Sequence, residues 1–122
     1  MEEVDSVALT ILIDEIDALE RTVQKKEQTI DQLTKNTAIL TRMIKNIGER
    51  YVEDNPHYNP QEDSFQYQTF LESSSGRIIL KAERRITESS FEMKQLKDQL
   101  SREYEELAIL KRVHRKIKEE IK

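Results

Sequence analysis

The sequence predicts an all-α protein in which two long, heptad-patterned helices form a coiled coil. Of its 122 residues, 36% are charged and 6% aromatic, whereas globular domains have about 25% charged residues. Residues that end helices, such as Asn-Pro pairs and a Ser-Ser-Ser-Gly run, are confined to positions 54–76. We therefore predict an N-terminal helix over 3–53, a linker over 54–78 and a C-terminal helix over 79–122.

The N-terminal helix is predicted by apolar residues that recur alternately three and four positions apart. Between Leu9 and Tyr51 this pattern places apolar side chains at 11 of 13 positions. A repeat of 3.5 residues keeps its stripe on one side only when the helix supercoils around a partner. The helix should end before Asn55-Pro56, because a residue that precedes proline is displaced from the α region. The a and d heptad positions, here called the seam, include in this helix Leu19, Val23, Ile30, Leu33, Leu40, Ile44 and Ile47.

The linker allows two interpretations. Residues 65–71 alternate aromatic and polar side chains over part of their length, and the apolar run 77–80 follows the Ser-Ser-Gly turn. This pattern is typical of a short β-hairpin over 64–81. Alternatively, the aromatic side chains form an irregular cap on the end of the coiled coil.

The C-terminal helix has the same heptad pattern, with 10 of 13 apolar positions between Ile79 and Ile121. Its start is predicted either just after Gly76 or at Ser89, which has the spacing of a capping box with Glu92. Its seam includes Met93, Leu96, Leu100, Leu107, Leu110, Ile117 and Ile121.

Folding the chain back on itself predicts an antiparallel hairpin in which paired residue numbers sum to 140. In this register Lys26 meets His114 and Thr37 meets Glu103, so four polar seam residues form two polar layers. The hairpin also brings an acidic N-terminal segment, with a charge of −7 over residues 1–20, beside a basic C-terminal one. A parallel dimer remains the alternative, although it would stack Lys26 and Glu103 on their own counterparts.

The first helical turns are predicted to bind a partner. In the 140 register they extend beyond the end of the second helix, and their apolar residues surround the helix instead of forming a stripe. A helix that is apolar on all sides is normally buried, which indicates contact with other, helical protein subunits. The residues assigned to this contact are Val4, Leu9, Leu12, Ile13 and Ile16.

The sequence offers no recognisable catalytic, cofactor or metal site, and we expect no enzyme activity. It has no cysteine and two histidines, neither of which has a catalytic or metal-ligand spacing. The acidic residues around His57, at positions 53–63, lack the order of an EF-hand loop. No apolar run reaches the length of a membrane span, and the acidic start is unlike a signal peptide. We therefore expect an intracellular protein, cytoplasmic or nuclear.

The predicted function is that of a coiled-coil scaffold, a non-catalytic subunit that joins other proteins within a homo- or hetero-oligomeric complex. A helix, a possible β-hairpin containing Gly76-Arg77-Ile78-Ile79 and an antiparallel helix resemble the layout of a prefoldin subunit. That resemblance implies a chaperone whose hairpins join subunits and whose apolar helix tip, here residues 4–16, holds unfolded clients. A third interpretation is nucleic-acid binding through basic residues at 77–85 and 111–118. It is disfavoured by the net charge of −4 and by the absence of aromatic residues among those cations.

Overall fold

All regular secondary structure in the described part of the computed structural model is α-helical. The structure describes the backbone of residues 2–59 and 64–121 and the side chains of residues 6–59 and 66–121. The helices are α1 (Glu2–Asp54), α2 (Ser64–Glu72) and α3 (Ser74–Ile121). The two long helices, α1 and α3, pack against each other. The chain divides into two compact units: unit 1 comprises Met1–Asp31 and Lys94–Lys122, and unit 2 comprises Gln32–Met93.

Helix α1 ends at Asp54 because the next two residues are Asn55 and Pro56. The backbone N–H of Asn55 donates to the carbonyl of Tyr51 over 3.0 Å, and the Asn55 side chain donates to the same oxygen over 2.9 Å. The proline ring displaces the residue before it from the α region. Tyr58 then donates its N–H to the Asn55 carbonyl and closes a turn.

The β-hairpin considered for residues 64–81 is wrong, since residues 64–72 form helix α2 and residues 2–59 and 64–121 contain no strand. The alternation of aromatic and polar residues suggested a strand because a segment this short can match both the two-residue period of a strand and the 3.6-residue period of a helix. Tyr67, Phe70 and Leu71 have the i, i+3, i+4 spacing that places side chains on one side of a helix. Phe70 packs its ring at 4.7 Å from that of Tyr51, measured between centroids, so tertiary packing favours the helix.

Helix α3 begins at Ser74, earlier than either predicted start. The hydroxyl oxygen of Ser73 accepts the N–H of Gly76 over 3.1 Å, so Ser73 is the N-cap of the helix. Gly76 is the third helical residue and not a turn residue that precedes the helix. It is buried, and a Cβ atom built on it would lie 2.0 Å from the carbonyl oxygen of Phe70. Glycine is therefore required by the close approach of α2 to α3.

In unit 1 the two helix segments run in opposite directions. Lys111 pairs with Glu20 over 3.1 Å, whereas the hydroxyl of Tyr104 donates to Glu27 over 2.8 Å. Residues further along α1 therefore contact residues that come earlier in α3. The core of this unit contains the buried residues Ile16, Val23, Leu100 and Leu107, with Leu19, Ile30 and Leu110 packed against them.

The predicted register is wrong by one heptad in unit 1. Lys26 forms an ion pair with Glu103 instead of meeting His114. Glu20 pairs with Lys111, whereas the 140 register places Lys118, seven residues further along α3, opposite Glu20. The 140 register aligned the polar seam residues by their spacing and placed no opposite charge beside Lys26. The observed register places Glu103 there.

The predicted seam residues differ in their burial. Val23, Leu100 and Leu107 are buried, as are Ile79 and Ala82 in the first turns of α3. The exception is Ile121, whose side chain is 43% exposed. The remaining predicted seam residues are half-buried: Leu19, Ile30, Leu33, Leu40, Ile44, Ile47, Met93, Leu96, Leu110 and Ile117.

None of the three helices, over the residues described, has the length and apolar character needed to cross a membrane.

Candidate functional site

The strongest candidate site is an open groove between α1 and α3 in unit 1, here called groove 1. It has a volume of about 540 Å³. Leu19 and Leu110 are half-buried, whereas Ile109 is 55% exposed. A groove with apolar residues and carboxylates can receive another helix. The residues that line groove 1 are Glu15, Ala18, Leu19, Thr22, Glu106, Ile109 and Leu110.

Groove 1 lies on one flank of the helix pair, and polar contacts close the other flank. Glu20 and Glu27 occupy the e heptad positions of α1 and bind Lys111 and Tyr104 across the interface. Glu15 and Thr22 occupy the g positions, and their side chains form no ion pair or hydrogen bond between the helices in the described structure. In the described part of unit 1, polar contacts between the helices therefore lie on the e flank, and groove 1 lies on the g flank.

Unit 2 has a corresponding pair of adjoining depressions on its own g flank, here together called groove 2. Their volumes are about 440 and 470 Å³. Ile39 and Ile78 are exposed apolar residues within them, and Arg85 and Glu88 belong to both depressions. The other lining residues are Leu33, Asn36, Leu40, Met43, Lys81, Ala82, Arg84, Ser89 and Glu92.

The polar seam residues form one ion-paired layer in unit 1 and a separate polar position in unit 2. One carboxylate oxygen of Glu103 binds the ammonium of Lys26, and the other is buried without a hydrogen-bond partner among the described residues. In unit 2 the hydroxyl of Thr37 is likewise buried without such a partner. His114 is half-buried near the end of α3. These groups affect register and stability, because burying charged or polar groups is costly unless they are paired.

Tyr104 belongs to the polar flank of unit 1. The hydrogen bond that its hydroxyl donates to the carboxylate of Glu27 raises the pKa of Tyr104 above its ordinary value. Because the neutral phenol is the donor, this contact persists through the neutral pH range and is lost only when the phenol ionises.

The residues predicted to bind a partner occupy several environments. Ile16 is a member of the unit 1 core and is 9% exposed, so its side chain is already covered within one chain. Leu9 and Leu12 are half-buried, and Ile13 is 44% exposed. The side chain of Val4 lies outside the described residues. The predicted overhang beyond α3 does not include Ile16, because Ile16 belongs to the same core as Leu100 and Leu107 of α3.

Ile109 and Ala18 were not predicted as site residues because both lie outside the seam. Both lie at c heptad positions, beside the g positions that border the groove. Ile11, which is 57% exposed, lies seven residues before Ala18 and shares its heptad position. The signal that could have predicted groove 1 is the repeated apolar residue at the c heptad position. This position lies on the side of the seam opposite the polar e positions.

A cluster of aromatic rings joins α2 to the end of α1 in unit 2. The ring of Phe70 lies 4.7 Å from Tyr51, 5.7 Å from Tyr58 and 6.5 Å from Tyr67, measured between ring centroids. Burial, followed by the neighbouring Tyr51 and Tyr67, raises the pKa of Tyr58. An open depression of about 470 Å³ beside this cluster includes His57 and Asp54. The cluster attaches α2 to α1 and is a structural feature.

The acidic loop and the basic segments show no built ligand site. Glu62 and Asp63 of the acidic loop lie outside the described residues, and no three His, Asp or Glu side chains in the described part could hold a metal ion together. Among the basic residues, Lys81, Arg84 and Arg85 border groove 2, and Lys111 is paired with Glu20.

Comparisons of this chain with models of known protein families, with characterised proteins and with solved structures give no match.

Proposed function

We propose that the chain is a non-catalytic coiled-coil subunit that joins proteins within an assembly, through a helical hairpin that presents groove 1. The observation that carries this proposal is the asymmetry of unit 1. Its e flank is occupied by Glu20–Lys111 and Glu27–Tyr104, whereas its g flank presents Ile109 beside half-buried leucines. Exposed apolar grooves between paired helices are typical docking sites for an amphipathic helix.

The structure contradicts one of the features on which the prefoldin-like alternative was based. It depended on a β-hairpin that joins subunits, and residues 64–72 form a helix. A chaperone would also use its apolar surface loosely and with many clients, whereas a groove with a defined flank and polar rim favours one partner.

A photo-crosslinking experiment tests the proposal. A photoreactive phenylalanine analogue replaces Ile109 in groove 1 and, as the matched control, Phe91, which is 65% exposed and lines neither groove. We expect position 109 to give one or a few adducts of defined mass in cells, because a docked partner holds a fixed position. Position 91 should give few adducts.

The chaperone predicts the opposite pattern in the same cells. Position 109 would give a broad distribution of adduct masses. The purified chain would also suppress aggregation of unrelated unfolded proteins, and Ile109→Ser would lose that suppression. Such a result would replace the assembly subunit by the chaperone.

A further inference from the structure

We propose that the partner is a second copy of this chain, and that groove 1 of one copy packs against groove 2 of the other. This inference rests on the proposed function and specifies its partner. It follows from the charges on the two rims and from the apolar residues between them.

The rims of the two grooves have opposite charges. Groove 1 has an acidic residue on each helix, Glu15 on α1 and Glu106 on α3. Groove 2 has the three cations Lys81, Arg84 and Arg85 at one end, beside Glu88, and a second acid, Glu92, at the other end, so its lining has a net positive charge. None of the two carboxylates of groove 1 and the three cations of groove 2 forms an ion pair with a described residue of its own chain. Opposite potentials on two exposed surfaces favour their association and select its orientation.

Each groove also offers exposed apolar surface to the other. In groove 1 this surface comes from Ile109 and Ala18, and in groove 2 from Ile39 and Ile78. A partner helix pair would cover side chains that water now contacts, which supplies the main driving force for association. The charged rims would then determine which grooves meet.

The charges also select which grooves meet. Packing groove 1 on its own counterpart would oppose carboxylates, with no cation among its lining residues, so repulsion disfavours that arrangement.

Light scattering after size-exclusion chromatography tests this assignment, with circular dichroism as the check of folding. At micromolar concentration we expect a mass of twice the 14.5 kDa of one chain. Ile109→Glu should give the monomer, whereas the matched control Phe91→Glu should remain dimeric because Phe91 lines neither groove. Both side chains are more than half exposed, so both variants should retain the helical content of the unaltered chain.

A charge exchange identifies the partner groove. Glu15→Lys alone and Arg85→Glu alone should each weaken dimerisation by about tenfold, because each reversal replaces an attraction between groove 1 and groove 2 by a repulsion. The chain that carries both substitutions should regain most of the lost affinity. A double variant no tighter than the single ones would overturn the pairing of the grooves.

The two proposals fail differently. If the chain stays monomeric in solution while position 109 still crosslinks to a protein of another mass, the second copy is wrong and the assembly subunit stands. If position 109 gives no defined adduct, the proposed function itself is wrong.

Discussion

Gly48 and Gly76, the two glycines of the chain, lie in different surroundings within unit 2. Around Gly48, inside α1, no atom beyond the adjoining residues and the local helix backbone lies within 4 Å of where a Cβ would be. A Cβ on Gly76 would instead meet the backbone of Phe70 and Leu71 at 2.0 to 2.8 Å. Neither glycine has a positive φ, so space, and not backbone conformation, distinguishes the two positions.

Alanine substitution at the two glycines should therefore have opposite effects on the free energy of unfolding. We expect Gly48→Ala to stabilise the protein by about 0.5–1 kcal/mol, because alanine loses less backbone entropy in a helix. Gly76→Ala should destabilise it by about 1–3 kcal/mol, since backbone atoms of α2 must move. Chemical denaturation followed by circular dichroism measures both values. A Gly76→Ala variant as stable as the unaltered chain would contradict the close approach of α2 to α3.

The polar residues of the seam show what a sequence can and cannot predict at this scale. Periodicity placed Lys26 and Glu103 at half-buried seam positions, and both are there. Periodicity does not fix which of them meet, because every shift by a heptad preserves the a and d pattern. The ion pair between Lys26 and Glu103 resolves that choice in unit 1. Breaking it would leave the half-buried carboxylate of Glu103 without a partner, which is unfavourable.

Among the elements, the long helices were predictable and the linker was not. Eleven turns or more of heptad pattern in each long helix give a redundant signal, whereas residues 64–72 provide only nine positions. A segment of that length fits a strand or a helix equally well, and packing of Phe70 against Tyr51 and Tyr58 decides the outcome. The N-cap at Ser73 was hidden because glycine, and not glutamate, occupies the third helical position.

The register of α1 against α3 can be tested in unit 1 with introduced cysteines, since the chain has none of its own. Val23 and Leu107 belong to the same buried cluster, so Val23→Cys with Leu107→Cys should form a disulfide within one chain on oxidation. The comparison pair is Val23→Cys with Ile117→Cys, which the 140 register would have joined. Because ten helical residues span about 15 Å, this second pair lies beyond the reach of a disulfide. Faster oxidation of the second pair at low protein concentration would restore the original register.

For the whole molecule, burial is sparse relative to exposed apolar surface. Six apolar residues are buried among the described side chains, and none of these has less than 4% exposure. Thirteen large apolar side chains in the same part of the chain are exposed, among them Ile39, Ile109 and Phe91. A single chain therefore obtains limited hydrophobic stabilisation from its own core. Composition predicted this property, but the grooves that present the exposed residues depend on the register and could not be located from it.

If a second copy covers these grooves, thermal stability must depend on protein concentration. Dimerisation stabilises the folded chain by mass action, and for two chains of this length a tenfold increase in concentration should raise the Tm by about 2–4 °C. Ile109→Glu should lower the Tm and remove the dependence, because the variant unfolds as a monomer. Phe91→Glu should retain it. Calorimetry over a concentration series measures these shifts, and a wild-type Tm that does not change with concentration would show that the fold is complete within one chain.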